Sequence, residues 1–343
     1  MAAILHFSSS LQLQSSYTPP FLTKSPPTLR HSFLKDRILL QTTRRSIAFT
    51  CQSINDDADD GYLLDAPVSA GDGFSFSGVE AINQAIEAME KKSSPAYSYR
   101  KVLPLLSKDY HAIAFDWLGF GYSDKPQPKY GFDYTLDEFV SALESVIDEL
   151  GVNKVSLVVQ GYFAPIVVKY ANNHQEKLND LILLNPPLTA KHANLPSTLS
   201  IFSNFLLGEI FSQDPLRASD KTLTSCGPYK MKEDDAMVYR RPYLTSGSSG
   251  FALNAISRAM KKELKNYVEE MRKILMDDDW KVKTSICWGQ RDRWLDFDGV
   301  EDFCKAAKHR LVELPMAGHH VQEDCGEELG NIIAGLVGRK VRI

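Results

Sequence analysis

Residues 154–174, KVSLVVQGYFAPIVVKYANNH, decide how the rest of the chain is interpreted. The apolar run KVSLVVQ predicts a buried strand, and APIVVKYANNH has the composition of a helix. The chain must turn sharply between them, and Gly161 lies at the tip of the turn. In many enzymes a nucleophile occupies the tip of such a strand–turn–helix unit. Glycine has no side chain for attack, so this is either an active site without its nucleophile or only a turn.

The segments on both sides continue the alternation of strand and helix. HAIAFD (111–116) predicts a buried strand, and TLDEFVSALESVIDELG (135–151) predicts a helix with Thr135 as N-cap and Gly151 as its stop. Further strands are predicted in KLNDLILLNP (177–186), KTSICWGQRDRW (283–294) and RLVELPMAGHH (310–320), with a final helix near EELGNIIAGLVG (327–338). This alternation indicates an α/β fold with a mostly parallel sheet flanked by helices.

One segment, residues 187–275, breaks the alternation with long helical pieces and polar turns. We interpret it as a helical cap inserted between the two parts of the sheet domain, 97–186 and 276–343. The cap carries four large apolar residues that could grip an apolar ligand, contact a membrane surface or pack in the core: Phe202, Phe205, Leu206 and Phe211. Core packing is the favoured interpretation. Two serines of the stretch TSGSSG are expected in a flexible turn of the cap: Ser248 and Ser249.

Residues 1–53 have the composition of a targeting segment. They are rich in Ser and Thr, and they contain six Lys/Arg and one acid, so they carry +5. This composition predicts a disordered transit peptide and, from the serine content, a plastid (chloroplast) destination. Residues 54–96 are expected to form an acidic linker and a short helix over 78–92. A disordered tail that stays attached is the alternative.

The remaining composition limits the classes of partner and site. Because the whole chain carries −4, the part after residue 53 carries −9, which argues against nucleic acid as the main partner. No apolar run reaches the length of about 18 residues that spans a membrane. The five scattered cysteines, without CxxC pairs, suggest reduced structural thiols rather than a metal site, and no cofactor motif is found.

Three predicted strand ends carry site residues in the chain order Gly161, Asp292, His319. With the stretches FDWLGFGYSDKP, LILLNPP, CWGQRD and AGHH, the chain resembles the α/β-hydrolase family over roughly residues 97–340. It is most similar to the haloalkane dehalogenase and epoxide hydrolase branch, and it looks like a plastid-targeted plant member. The resemblance implies that Asp292 orients His319 and that His319 acts as general base. The alternatives to catalytic roles are structural: Asp292 could cap a helix or pair with a neighbouring arginine, and His319 could be an ordinary loop residue.

The same resemblance shows what this chain lacks. The family nucleophile is the central Ser or Asp of G-x-S/D-x-G, whereas here the centre is Gly161 and Val159 and Phe163 replace the flanking glycines. Gly161 is therefore the non-functional nucleophile position. We expect four neighbouring side chains to line a pocket beside it: Gln160, Tyr162, Phe163 and Trp294. Ser123, Cys287, the two cap serines and the stretch GFSFSG (73–78) are weaker candidates for a replacement nucleophile.

A second family element is also missing. No apolar run ending in His-Gly precedes Tyr97, so the family's oxyanion loop and third strand are absent. We infer that the family's first and second strands are absent as well. The third strand lies in the centre of the family sheet, so its loss predicts a central gap. We hypothesise a skipped exon or an incomplete gene model, a hypothesis that a strand found within residues 54–96 would contradict.

These features leave two main functional hypotheses. The first is a non-hydrolytic protein that binds a small apolar ligand or a protein partner, with peripheral membrane association left open. The second is an enzyme that uses Asp292 and His319 to activate water or abstract a proton from an ester, epoxide or halide-like substrate. A truncated product that does not fold stably is a third possibility, because marginal stability leaves little room for a lost central strand.

Overall fold

The computed structural model describes residues 2–6, 40–42, 96–245 and 247–338. Three predictions fall outside these residues: the acidic linker, the helix over 78–92 and the GFSFSG stretch. Nearly all of region 54–96, where a further strand would test the gene-model hypothesis, also lies outside them. The described residues belong to one compact unit.

The centre of the fold is a seven-stranded sheet with the order β2-β3-β1-β4-β5-β6-β7. The strands are β1 Ala2–His6, β2 Leu40–Thr42, β3 His111–Phe115, β4 Val155–Gln160, β5 Leu178–Leu184, β6 Lys283–Gly289 and β7 Arg310–Leu314. Strands β4 to β7 run parallel to one another. Each predicted strand from 111 to 314 is confirmed. Strands β3 to β6 are largely buried in the interior of the sheet domain, whereas β7 lies at the edge of the sheet and is only partly buried.

The gap expected in the centre of the sheet is not present. Strand β1 lies between β3 and β4 and runs antiparallel to both, and β2 pairs with the outer edge of β3. Both segments fall within residues 1–53, so the prediction that this whole stretch is disordered is wrong for 2–6 and 40–42. The physical reason is that the edges of β3 and β4 expose backbone donors and acceptors that another strand can pair. The transit-peptide role of residues 1–53 stays a prediction.

Eleven α-helices of the described residues surround the sheet or form the cap. They are α1 Leu103–Leu106, α2 Leu136–Glu149, α3 Ala164–Asn173, α4 Ser197–Ser200, α5 Phe205–Ser212, α6 Thr222–Ser225, α7 Glu233–Thr245, α8 Ser248–Leu275, α9 Val300–Ala306, α10 Val321–Asp324 and α11 Gly326–Val337. Helix α2 begins as predicted: Thr135 and Glu138 form a capping box. No helix of the described part is both long and apolar enough to cross a membrane.

The cap differs from the sequence expectation in two places. Phe202 is buried, but Phe205 and Leu206 are exposed, so core packing was the wrong prediction for these two residues. Ser248 and Ser249 do not form a flexible turn; they begin α8, and the buried Ser249 hydroxyl donates to the Pro242 carbonyl at 2.6 Å. Helix α8 of the cap packs along α3, the helix that follows the Gly161 turn. We call this turn between β4 and α3 the elbow.

Candidate active site

The tip of the turn after β4 is Gly161, with φ of +65°. A short 3-10 turn, Gly161–Phe163, leads into α3, and Pro165 in its first turn suits a helix start. The bulky flanks are accommodated without opening the turn: Val159 is buried in the core, and the Phe163 ring stacks on Trp117 at a centroid distance of 4.8 Å. The strained backbone typical of a nucleophile position is therefore kept, and glycine adopts it at little cost.

Asp292 and His319 form a buried pair beside this tip. The Nδ1 atom of His319 lies 2.7 Å from Oδ2 of Asp292, and their side chains are about 2% and 1% exposed. Oδ1 of Asp292 accepts from the backbone N–H groups of Trp294 (2.7 Å) and Leu295 (3.0 Å). Burial opposes ionisation, but the His319 ring and these donors hold the pKa of Asp292 below its usual value. Asp292 is therefore an ionised carboxylate that holds the imidazole.

Asn185, at the end of β5, completes this arrangement, and sequence reasoning missed it. Its Nδ2 donates to Oδ2 of Asp292 at 2.7 Å, and its Oδ1 accepts from the Gly289 N–H at 2.8 Å. Asn185 has a φ of +42°, a region that asparagine tolerates better than most residues. The quoted stretch LILLNPP contained the signal, namely a polar residue at the end of a buried strand.

The position that a side chain at residue 161 would take is occupied by the histidine. A Cβ atom built on Gly161 would lie 2.8 Å from Nε2 of His319. The turn therefore directs the Cβ position of residue 161 at the imidazole of His319. Tyr162 also faces the ring, with centroids 5.9 Å apart.

A loop of the cap fastens the histidine from the other side. The Cys226 carbonyl accepts from the His319 N–H at 3.3 Å and from the Arg293 N–H at 3.0 Å. The amide Nε2 of Gln160 donates to the His319 carbonyl at 3.1 Å. A Cβ on Gly227 would lie 2.9 Å from Cα of Gly318, so only glycines allow this close crossing. The cap thus contributes to the position of His319.

A cavity of about 240 Å³ opens beside the pair. The four residues predicted to line a pocket, Gln160, Tyr162, Phe163 and Trp294, all line it, as does His319. The cap supplies a largely apolar wall that includes Leu195, Leu199, Ala218, Leu253, Ile256 and Met260. This lining suits a small apolar molecule.

One wall of the cavity carries a buried charged cluster. Arg100 donates to Glu323 at 2.8 Å and lies 3.1 Å from Asp235, and the Tyr239 hydroxyl donates to Glu323. Burial and the neighbouring carboxylate raise the pKa of Tyr239 well above its usual value. Since Glu323 is 1% exposed, Arg100 is the counter-ion that makes its burial tolerable.

The replacement nucleophiles that can be assessed are poorly suited. The Ser123 hydroxyl is buried and donates to the Asp116 carbonyl at 2.5 Å. Cys287 is buried within β6, and burial raises the pKa of its thiol to about 12. A thiolate is therefore scarce at neutral pH. The four cysteines of the described part are all free thiols.

Comparison with known proteins places this geometry in a family. The profile of the α/β hydrolase fold matches residues 94–324. The chain belongs to the α/β-hydrolase family. A haloalkane dehalogenase of Psychrobacter cryohalolentis is 42% identical over 258 residues, which is 70% of this chain and 79% of the relative. A cis-3-alkyl-4-alkyloxetan-2-one decarboxylase of Shewanella oneidensis is 27% identical over 266 residues, 73% of this chain and 80% of the relative.

Solved structures agree on the fold. A loop variant of a haloalkane dehalogenase from Bradyrhizobium elkanii has a TM-score of 0.62 and 20% identity, and the match covers 71% of this chain and 86% of that one. The resemblance to the α/β-hydrolase family and to its haloalkane dehalogenase and epoxide hydrolase branch is therefore confirmed. The catalytic roles of Asp292 and His319 stay a prediction.

Proposed function

We propose that this protein is a non-hydrolytic α/β-hydrolase-fold protein that binds a small apolar ligand in the cavity beside His319. One observation carries the proposal: Gly161 lies at the elbow tip, its Cβ direction aims at His319, and it has no atom that can attack a substrate. Neither a serine nor an aspartate mechanism can proceed from that position. We further propose, from the composition of residues 1–53, that it acts in the plastid.

The ligand class follows from the walls of the cavity. Aliphatic side chains of the cap and the aromatic residues around the elbow line the cavity, so a ligand held there would contact mainly apolar surface. The relatives named above are a haloalkane dehalogenase and an alkyl-oxetanone decarboxylase, and both names describe small, largely apolar molecules. A volume of about 240 Å³ suits a molecule of this size.

An enzyme without the elbow nucleophile is the second candidate, and the intact Asp292–His319 pair favours it. Asp292 is ionised and holds Nδ1 of His319 at 2.7 Å, which leaves Nε2 as the ring atom directed toward the elbow. In that position the imidazole could remove a proton from water or from a bound substrate. The released proton would then be held on His319 and stabilised by Asp292.

A binding and turnover experiment separates the two candidates. The probes are 1-chlorohexane, 1,2-epoxyhexane and ethyl butyrate, with binding followed by ligand-detected NMR and turnover by product analysis. Leu253→Trp fills the cavity, and Phe251→Trp is the matched control, because Phe251 lies on the same helix but is exposed. We expect binding by the wild type and Phe251→Trp, loss of binding in Leu253→Trp, and no turnover.

His319→Ala decides the role of the base. Unchanged binding and an absence of turnover in both proteins would support the non-hydrolytic proposal. Turnover in the wild type that His319→Ala abolishes would replace it with the second candidate. Failure of all three probes to bind, in a protein with a cooperative thermal transition, would contradict a small apolar ligand.

A further inference from the structure

Helix α5 of the cap exposes an unusually apolar surface. Phe205 is 84% exposed, Leu206 66%, Ile210 58% and, just beyond the helix, Leu216 55%. We call these four residues the cap apolar face. Single exposed apolar residues are common, but several on two turns of one helix mark an interaction surface.

The helix is held in this orientation by small residues on its other side. A Cβ on Gly208 would lie 2.4 Å from the Phe202 carbonyl oxygen and 3.3 Å from the side chain of Asn254 on α8. Ser212, one turn later, is fully buried. Larger side chains at positions 208 and 212 would not fit against these neighbours. Helix α5 therefore packs its small residues inward and exposes its large apolar residues. This is the reverse of an ordinary surface helix.

The ionic groups beside the cap apolar face are paired. Glu209 accepts from Arg258 at 2.7 Å, and Asp214 lies 3.3 Å from Arg217. The Arg217 guanidinium also lies 4.2 Å from the centre of the Phe211 ring. These pairs leave little net charge at the edge of the face, so its attraction to a partner is mainly hydrophobic.

The inner side of this surface is the wall of the cavity. Phe202, Ala218 and Leu253 form a small buried cluster under α5, and Ala218 and Leu253 also line the cavity. A partner on the cap apolar face would therefore lie next to the cavity, separated from it by one layer of side chains.

We propose that the cap apolar face docks into the interfacial layer of a lipid bilayer. An amphipathic helix that lies in this layer buries its apolar side without crossing the membrane. Even if each of the four side chains had the area of an aromatic one, about 150–250 Å², their exposed fractions would amount to roughly 400–650 Å². A stable dimer needs about 800 Å² from each partner, so the face is small for a second copy. This docking does not depend on which ligand occupies the cavity.

Vesicle flotation with the full chain tests the proposal. The probe is a vesicle of neutral phosphatidylcholine, and the variant is Leu206→Gln with Ile210→Gln, which removes apolar surface without adding charge. The matched control is Tyr130→Gln with Met316→Gln, two exposed apolar residues outside the cap. We expect the wild type and the control to float, and the bound fraction of the cap variant to fall about tenfold or more.

Salt and size measurements complete the test. Because the neighbouring charges are paired, raising the salt concentration should change wild-type binding less than about twofold. The proposal is overturned if the wild type does not float, if the cap variant floats equally well, or if salt releases the protein. Light scattering could also overturn the proposal. If the wild type is a dimer and the cap variant is a monomer, a second copy of the chain occupies the cap apolar face.

Discussion

Gly161→Ala tests whether the elbow really points at His319. Alanine must adopt a φ near +65°, which costs about 1–2 kcal/mol for a residue with a Cβ. Its Cβ would also meet Nε2 of His319 at 2.8 Å, and the ring cannot move freely because Asp292 holds Nδ1 at 2.7 Å. Overpacking of this kind costs roughly 1–3 kcal/mol. Together with the backbone cost, we expect a total loss of about 2–5 kcal/mol of unfolding free energy.

Gly151→Ala is the matched control for this measurement. Gly151 has a φ of +60°, almost the same as Gly161, but a Cβ there would meet nothing within 4 Å. It should therefore lose only the backbone cost of about 1–2 kcal/mol. Urea unfolding followed by tryptophan fluorescence gives both values. Equal losses in the two variants would refute the reasoning, because they would mean that His319 does not lie in the path of a side chain at the elbow.

Three further predictions concern the site and its surroundings. Gly161→Asp places a carboxylate at the elbow. With 1-chlorohexane we expect this carboxylate to displace chloride slowly and form a hexyl ester. Mass spectrometry should show the added hexyl group in Gly161→Asp but not in Gly161→Asn. Burial lowers the pKa of His320 to about 3, below its unfolded value near 6.5, so the unfolded chain binds more protons between these two pH values. The unfolding free energy should therefore fall by about 1.4 kcal/mol per pH unit as the pH drops through that window. Calorimetry should show a shallower pH dependence for a His320→Asn variant. Arg100→Met leaves the buried Glu323 unpaired and should cost about 3–5 kcal/mol in urea unfolding, whereas Arg100→Met with Glu323→Gln should cost clearly less; an equal loss would show that the ion pair is not what matters.

The sequence predicted the parts of the fold that depend on local pattern. Apolar runs located β3 to β7, and Thr135 with Glu138 located the start of α2. Chain order at three strand ends was enough to bring Asp292 and His319 together. Parallel strands present their carboxyl ends at one edge of a sheet, so residues far apart in sequence meet there.

Other features depend on contacts that a sequence pattern does not show. Asn185 and the Cys226 carbonyl act through hydrogen bonds across more than 90 residues to Asp292 and His319. The pairing of β1 with β3 and β4 uses backbone groups, which are the same in every sequence. The outward face of α5 results from close packing of Gly208, whereas its apolar composition alone suggested burial.

The intact Asp292–His319 pair does not require catalysis to explain it. Oδ2 of Asp292 is bonded to both His319 and Asn185, and the His319 backbone is bonded to Cys226 of the cap and to Gln160 of the elbow strand. Removing either partner would leave a buried polar group unsatisfied, at a cost of about 1–3 kcal/mol or more for a charge. The pair therefore joins the ends of β4, β5 and β6 to the cap, and this structural contribution persists whether or not residue 161 can attack a substrate.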